Sequence, residues 1–326
     1  MDFWLTAVVA AGVALLAGAA ILAYFVLVTR RIAAEAERLV PPIGKFVTLG
    51  RNRIHYVEKG EGPPILFIHG LGAHLHHFRH SLFDAFGPGY RLIALDRPGS
   101  GYSVRAAGAT ARLPEQAAVI SAFIEALGLE KPLLVGHSLG GAIALATALD
   151  HPEQVSGIVL LAPLTHIEET IRPEFKGLYI RSPLKRWLLS HTLAVPKSRE
   201  LAPRTLAFVF GPQDWPADYA VAGGGMVGLR PSHIYATASD VVAIEHDLER
   251  LQNRYGEITM PAGLLFGVAD RVLDYRLHGL PMRDKIKGIE VEIVDGIGHM
   301  PQYAATELVI AFIRRIAERA FGRRAT

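Results

Sequence analysis

Gly136-His137-Ser138-Leu139-Gly140 is the stretch that decides the fold. Before it lies a short apolar run of strand type, Leu133-Leu134-Val135, and after it, from Gly141 to Leu149, a helix-like run of small and apolar residues. A strand that stops, turns sharply and enters a helix strains the backbone of the turn residue. Glycines two positions before and two after Ser138 remove the side chains that would clash there. The serine hydroxyl is then lifted above the sheet, with a helix N-terminus beneath it: a nucleophile elbow, G-x-S-x-G. The same five residues also fit a glycine-rich turn without chemistry, so the flanking pattern has to decide.

That pattern is regular on both sides. Upstream, Phe46-Val47-Thr48-Leu49 and Arg53-Ile54-His55-Tyr56-Val57 flank a turn and read as a hairpin. Ile65-Leu66-Phe67-Ile68 is a continuous apolar run, as expected of a strand buried on both faces. It ends in His69-Gly70-Leu71-Gly72, a loop at the C-terminal edge of the sheet. There the backbone N–H of Leu71, together with that of Leu139, would form an oxyanion hole, an arrangement that stabilises a developing alkoxide by several kcal/mol. Tyr90 to Leu95 is the next strand and runs into the turn-rich Asp96-Arg97-Pro98-Gly99-Ser100-Gly101. A helix over Pro114 to Leu127, the elbow, and the strand Ile158 to Leu161 follow. Strands alternating with helices imply a mainly parallel sheet with helices on both faces. From about 164 to 240 the alternation stops in favour of prolines and aromatics, which reads as a mostly helical cap inserted over the elbow. It then resumes with strands at Gly263 to Gly267 and Val291 to Val294 and a closing amphipathic helix from Glu307 to Phe321.

The chain order Ser138, Asp270, His299 puts each residue just past a strand end, where open α/β sheets place their sites. A serine hydroxyl is a weak nucleophile at neutral pH and needs a base, which in turn needs an orienting carboxylate. His299 is the expected base and Asp270 the expected acid, with Asp274 and Asp295 as rivals. His74, His76, His77 and His80 crowd one segment, and the His76/His80 spacing raises a metal site. No H-E-x-x-H pattern supports one, so they are expected as solvated or pocket-rim histidines. No cofactor and no metal are expected.

At the N-terminus, the run from Trp4 to Val28 carries no charge and is long enough to cross a ~30 Å hydrocarbon core. Only Asp2 precedes it and Arg30-Arg31 follow, the reverse of a signal peptide. It is expected to be an uncleaved anchor. Arg30, Arg31, Arg38 and Lys45 all lie on its C-terminal side, which places the main domain on the cytoplasmic face. The expected division is an anchor over residues 1–29, a linker over 30–44 in which the helix continues until Pro41-Pro42, and one domain over 45–326. On that division, removing residues 1–40 leaves a soluble, active enzyme. The 326 residues are ample for one such domain, the net charge of +3 gives no footprint for nucleic acid, and the absence of cysteine excludes a thiolate nucleophile and disulfides. Oligomeric state is not legible here.

From Phe46 onward the chain resembles the α/β-hydrolase superfamily. The resemblance rests on His69-Gly70-Leu71-Gly72, Asp96-Arg97-Pro98-Gly99-Ser100-Gly101, Gly136-His137-Ser138-Leu139-Gly140-Gly141, Gly267-Val268-Ala269-Asp270 and Gly298-His299-Met300-Pro301. These motifs are similar to those of the lid-bearing branch of esterases, enol-lactonases and carbon–carbon bond hydrolases. The resemblance implies an α/β-hydrolase fold and a Ser138-His299-Asp270 triad acting on a small-molecule ester, with a carbon–carbon hydrolase or lactonase, and less so a non-catalytic binding protein, as alternatives. Epoxide hydrolases and haloalkane dehalogenases of the same branch carry an aspartate nucleophile, and Ser138 speaks against both. The apolar N-terminal run departs from most soluble members and adds a lipid bilayer as a partner.

Overall fold

The computed structural model describes residues 3–168 and 172–322; residues 1–2 of the expected anchor, 169–171 of the expected cap and 323–326 lie outside the described residues. Along β3 (Pro64–Ile68) the side chains alternate, Ile65 and Phe67 to one layer and Leu66 and Ile68 to the other, and all four are fully buried. A strand covered on both faces can afford no polar position, which is why it reads as an unbroken apolar run.

The sheet has eight strands in the order β1-β2-β4-β3-β5-β6-β7-β8. β1 (Lys45–Leu49) and β2 (Asn52–Lys59) form the hairpin, and β2 pairs antiparallel with β4 (Arg91–Leu95). From β4 through β3, β5 (Leu133–His137), β6 (Gly157–Leu161), β7 (Ala262–Gly267) and β8 (Glu290–Val294) all pairs are parallel. The chain goes from β3 outward to β4, then crosses back to place β5 on the other side of β3. The C-terminal ends of β3 and β5 are therefore neighbours at a topological switch point, where this architecture opens a crevice.

Of the twelve helices among the described residues, α1 (Phe3–Leu39) precedes the sheet and α2 (His76–Phe78) is a single turn after β3. α3 (Leu113–Ala126) and α4 (Leu139–Asp150) cover one face. α5 (Pro183–Ser190), α6 (Ala194–Phe210), α7 (Pro231–Ile244) and α8 (Leu248–Gln252) lie between β6 and β7. The short α9 (Tyr275–His278) and α10 (Met282–Lys285) precede β8, and α11 (Pro301–Ala304) leads into α12 (Thr306–Ala320) on the opposite face. α12 buries Val309, Phe312, Ile313 and Ile316, spaced three and four apart, against Phe67, Val159 and Leu265. Its outward Arg315 pairs with Glu290 and Glu292 of β8. Truncating Phe312 to alanine would cost about 3–5 kcal/mol in lost packing and cavity.

The expected linker is not free. The apolar side chains of α1 are exposed as far as Leu27, apart from the half-buried Phe25 and Val26, and from Thr29 the helix is docked. Thr29 Oγ1 donates to Thr192 O at 2.5 Å. Ile32 and Ala36 are buried with Val195, Leu229 and Ile234 of the cap. Glu35 pairs with Arg199 at 2.9 Å and Glu37 with Arg230 at 2.8 Å, and Tyr102 Oη donates to Val40 O. The polar sequence of residues 30–40 concealed this, because only Ile32, Ala36 and Val40, about one residue per turn, are buried there. A cut after residue 40 would thus strip a packed surface, contrary to the sequence expectation.

Candidate active site

Ser138 closes β5 and opens α4 with φ 54° and ψ −121°, a conformation L-residues rarely hold and which costs on the order of 1–3 kcal/mol. The surrounding backbone over-determines it. Ser138 N–H donates to Leu161 O at 3.0 Å, and Ser138 O accepts from Gly141 N at 2.9 Å and Leu164 N at 3.0 Å. A Cβ on Gly136 would lie 2.3 Å from Gly140 O, and one on Gly140 would lie 2.0 Å from Ile68 O. Neither neighbour is a side chain that could move aside, so both positions require glycine. The first turn of α4 adds the positive end of its dipole beneath the hydroxyl.

The loops after β7 and β8 supply the other two groups. Asp270 Oδ1 accepts from Val272 N and Leu273 N at 2.7 and 3.0 Å, while its Oδ2 is 2.7 Å from His299 Nδ1. An ionised carboxylate only accepts, so His299 Nδ1 carries the proton and its Nε2 is left with a lone pair. Asp274 faces elsewhere: its side chain caps α9 by accepting from Arg276 N at 2.9 Å, and it is half-exposed. Asp295 is exposed in the turn after β8. Ser138 and His299 line the same cavity, with no hydrogen bond between their side chains among the described residues.

Three residues hold this constellation that were not assigned a role from sequence. The His137 ring packs at a tilt against His299, with centroids 4.8 Å apart, and its Nε2–H donates to His299 O at 2.8 Å. Burial first, and the nearby His299 second, push His137 down to about 3, so it stays neutral. Gln213 clamps the histidine turn, donating to Gly296 O at 2.6 Å and accepting from Gly298 N at 3.1 Å. Arg97 is fully buried and donates to His69 O at 3.0 Å and Gly70 O at 2.9 Å, the two carbonyls before Leu71. Its Nη1 donates to Gln116 and to Asp240, each at 2.7 Å. His137 and Arg97 stood inside quoted motifs; Gln213 had no sequence signal, because it acts from the edge of the cap on a loop 83 positions away.

The cavity of about 250 Å³ is lined by Leu71, Leu139, Leu164, Phe175, Val209, Val241 and Leu273 together with Ser138 and His299. Its polar wall groups include Glu168, Arg172 and Glu245. Leu71 and Leu139, expected as oxyanion donors, both border it.

The histidine cluster meets the expectation in part: His77 lines the cavity, but His74, His76 and His77 are buried rather than solvated, and only His80 is partly exposed. The cap covers them: Gly224, at φ +77°, passes so close that a Cβ there would lie 2.5 Å from His74, and Tyr219 Oη is 2.6 Å from His77 Nε2. Burial holds His76 down to about 4 and His77 to about 3. Among the described residues no three His, Asp or Glu side chains are grouped to hold a metal ion.

A family model described as the alpha/beta hydrolase fold matches residues 63–305. Haloalkane dehalogenase 2 of Mycobacterium bovis is 37% identical over 123 residues, 38% of this chain and 43% of that protein, so the match spans less than half of that relative's length. A 2-hydroxy-6-oxononadienedioate/2-hydroxy-6-oxononatrienedioate hydrolase of Klebsiella pneumoniae is 26% identical over 272 residues, 81% of this chain and 91% of that protein. Among solved structures, a membrane phospholipase A described as a bacterial virulence factor is similar with a TM-score of 0.66 and 26% identity, covering 97% of this chain and 99% of that one.

Proposed function

The chain belongs to the α/β-hydrolase fold family, and from that premise we propose that it is a serine hydrolase, anchored in a membrane by α1, that cleaves carboxylic esters of lipophilic acids. The observation that carries this reading is that the strained Ser138 and an imidazole already oriented by a buried carboxylate line one largely apolar cavity. Ser138 Oγ attacks the ester carbonyl while His299 Nε2 takes its proton. Asp270 holds the tautomer and stabilises the imidazolium. The N–H groups of Leu71 and Leu139 receive the oxyanion, and His299 returns the proton to the leaving alkoxide. Water then releases the acid from the acyl-enzyme by the same steps.

The apolar wall favours an acyl chain over a charged group. A carbon–carbon hydrolase remains the second reading, favoured by the Klebsiella pneumoniae relative. Its dicarboxylate substrates would need free cations, whereas Arg172 on the wall lies 3.6 Å from Glu168. The dehalogenase likeness does not carry over, because the elbow presents a hydroxyl. α1 is uncharged from Phe3 to Thr29, spans about 40 Å at ~1.5 Å per residue, and leaves its apolar side chains uncovered. With Arg30, Arg31 and Arg38 after it, the catalytic domain lies on the cytoplasmic side.

The test is a panel of p-nitrophenyl esters of rising acyl length, with a fluorophosphonate to label the nucleophile. Turnover that rises from acetyl to medium chains, and a label on Ser138, are expected. Absence of labelling in folded protein would sink the serine mechanism. Membranes washed at high salt should retain the full chain; release by salt would sink the anchor.

A further inference from the structure

The cap carries an apolar face that the described fold leaves bare. Leu184, Trp187 and Leu188 of α5 are 73%, 53% and 43% exposed, and their i, i+3, i+4 spacing puts them on one side of the helix. Leu193, in the turn into α6, is exposed and extends the strip. α5 packs against α7 on its other side. Exposed Arg181, Lys185 and Lys197 border the strip.

Its position relative to α1 is fixed. The Trp187 ring stacks on His191 at 4.7 Å, and the next residue, Thr192, accepts the hydroxyl of Thr29 through its carbonyl. Thr29 ends the uncharged run of α1, and Leu27 two residues earlier is still 64% exposed. The strip therefore begins at the level where α1 would leave a bilayer. An aromatic-and-leucine face bordered by cations is the composition of a helix lying in a lipid headgroup layer. The strip also leads to the cavity: the chain runs from Arg172 and Phe175 on its wall to Arg181, which lies 3.8 Å from Glu245 on the same wall.

Building on the anchored reading above, we propose that α5 docks into the phospholipid surface from which α1 emerges, bringing the mouth of the Ser138 cavity to that surface so that lipid-dissolved esters enter from the bilayer. The test uses the full chain in phosphatidylcholine–phosphatidylglycerol vesicles containing phospholipids brominated near the headgroup. The protein has three tryptophans, at 4, 187 and 215. One version keeps Trp187 alone (Trp4→Phe, Trp215→Phe), and a second keeps Trp4 alone (Trp187→Phe, Trp215→Phe). Both are expected to be quenched. Quenched Trp4 with unquenched Trp187 overturns the docking and leaves the anchor standing. Unquenched Trp4 overturns the anchor, and docking then stands or falls with Trp187. A Leu184→Glu, Leu188→Glu variant should hydrolyse a vesicle-borne ester roughly tenfold more slowly and soluble p-nitrophenyl acetate at the normal rate. Equal rates on both substrates to those of the parent chain, or equal losses on both, would overturn the proposal.

Discussion

Between β5 and α4 the chain folds back on its own backbone, so that a single Cβ on Gly136 would meet a carbonyl at 2.3 Å. The cap is assembled differently. It is joined to α1 and to the sheet edge by side chains: Thr29 to Thr192, Arg199 to Glu35, Arg230 to Glu37, Tyr219 to His77. Backbone-on-backbone contact fixes atoms to tenths of an ångström and tolerates almost no substitution. Side-chain pairing between separate elements is more adjustable, and many sequences satisfy it. The proposed nucleophile sits where the first kind of contact dominates, and much of the cavity wall sits where the second does.

The sharpest challenge to this contrast is at the elbow itself. Ser138→Ala leaves the backbone contacts intact, so circular dichroism should be unchanged while ester turnover falls on the order of 10⁴-fold or more. Residual turnover near the parent rate in folded protein would remove Ser138 from the reaction. Next comes the acid. Asp270→Asn should cost about 10³- to 10⁴-fold in kcat, because an amide can donate to His299 Nδ1 and favours the wrong tautomer. Asp274→Asn, which alters only a helix cap, should cost less than about tenfold. Parallel kcat values for the two on one activated ester settle the assignment, and a reversed order would hand the role to Asp274.

The cap side predicts effects on stability. Removing residues 1–27 leaves every docked residue of α1 in place and should leave the melting temperature unchanged. Removing residues 1–40 uncovers the surface against Ile32 and Ala36 and should lower it by about 5–10 °C, from a loss of ~2–4 kcal/mol. Equal melting temperatures would mean that α1 merely rests on the cap. The smallest effect is a pH slope. Burial holds His76 at about 4 and His77 at about 3, against an ordinary 6.5. Below ~6.5 the unfolded chain takes up protons that the folded chain refuses, so these two contribute a loss of stability as pH falls toward 4 and none above 7. Urea midpoints measured between pH 7 and 5 should fall less steeply in a folded His76→Phe variant than in the parent; identical slopes would show that His76 does not contribute.

The strands were legible because burial on both faces leaves no choice of residue type, and every strand expected between Phe46 and Val294 lies within a residue or two of its place, apart from a slightly longer β2. The elbow was legible for the reason given above: only glycine fits at Gly136 and Gly140. What could not be read is what depends on distant partners. Gln213 contacts a turn far along the chain, and nothing local marks it. The docking of residues 29–40 escaped because its apolar stripe is one residue per turn wide. The histidines read as solvated or pocket-rim because polar residues next to a loop usually are; Tyr219 and Gly224, nearly 150 positions later, bury them, and only His77 keeps a place on the cavity wall.

Arg97 and Asp240 bind two separate parts of the chain together. The guanidinium ties the loop of His69 and Gly70 to a carboxylate on α7, and that carboxylate also holds Arg105 at 2.7 Å. Deleting the Asp240 carboxylate leaves the Arg97 guanidinium without its ion pair in the interior, at a cost of about 3–5 kcal/mol, whereas without Arg97 the carboxylate still keeps Arg105. The sheet-edge loop and the last long helix of the cap can therefore not drift independently through mutation. A cap taken from another chain would bring its own geometry for specificity, but it would be accepted here only with an acid at the position of Asp240.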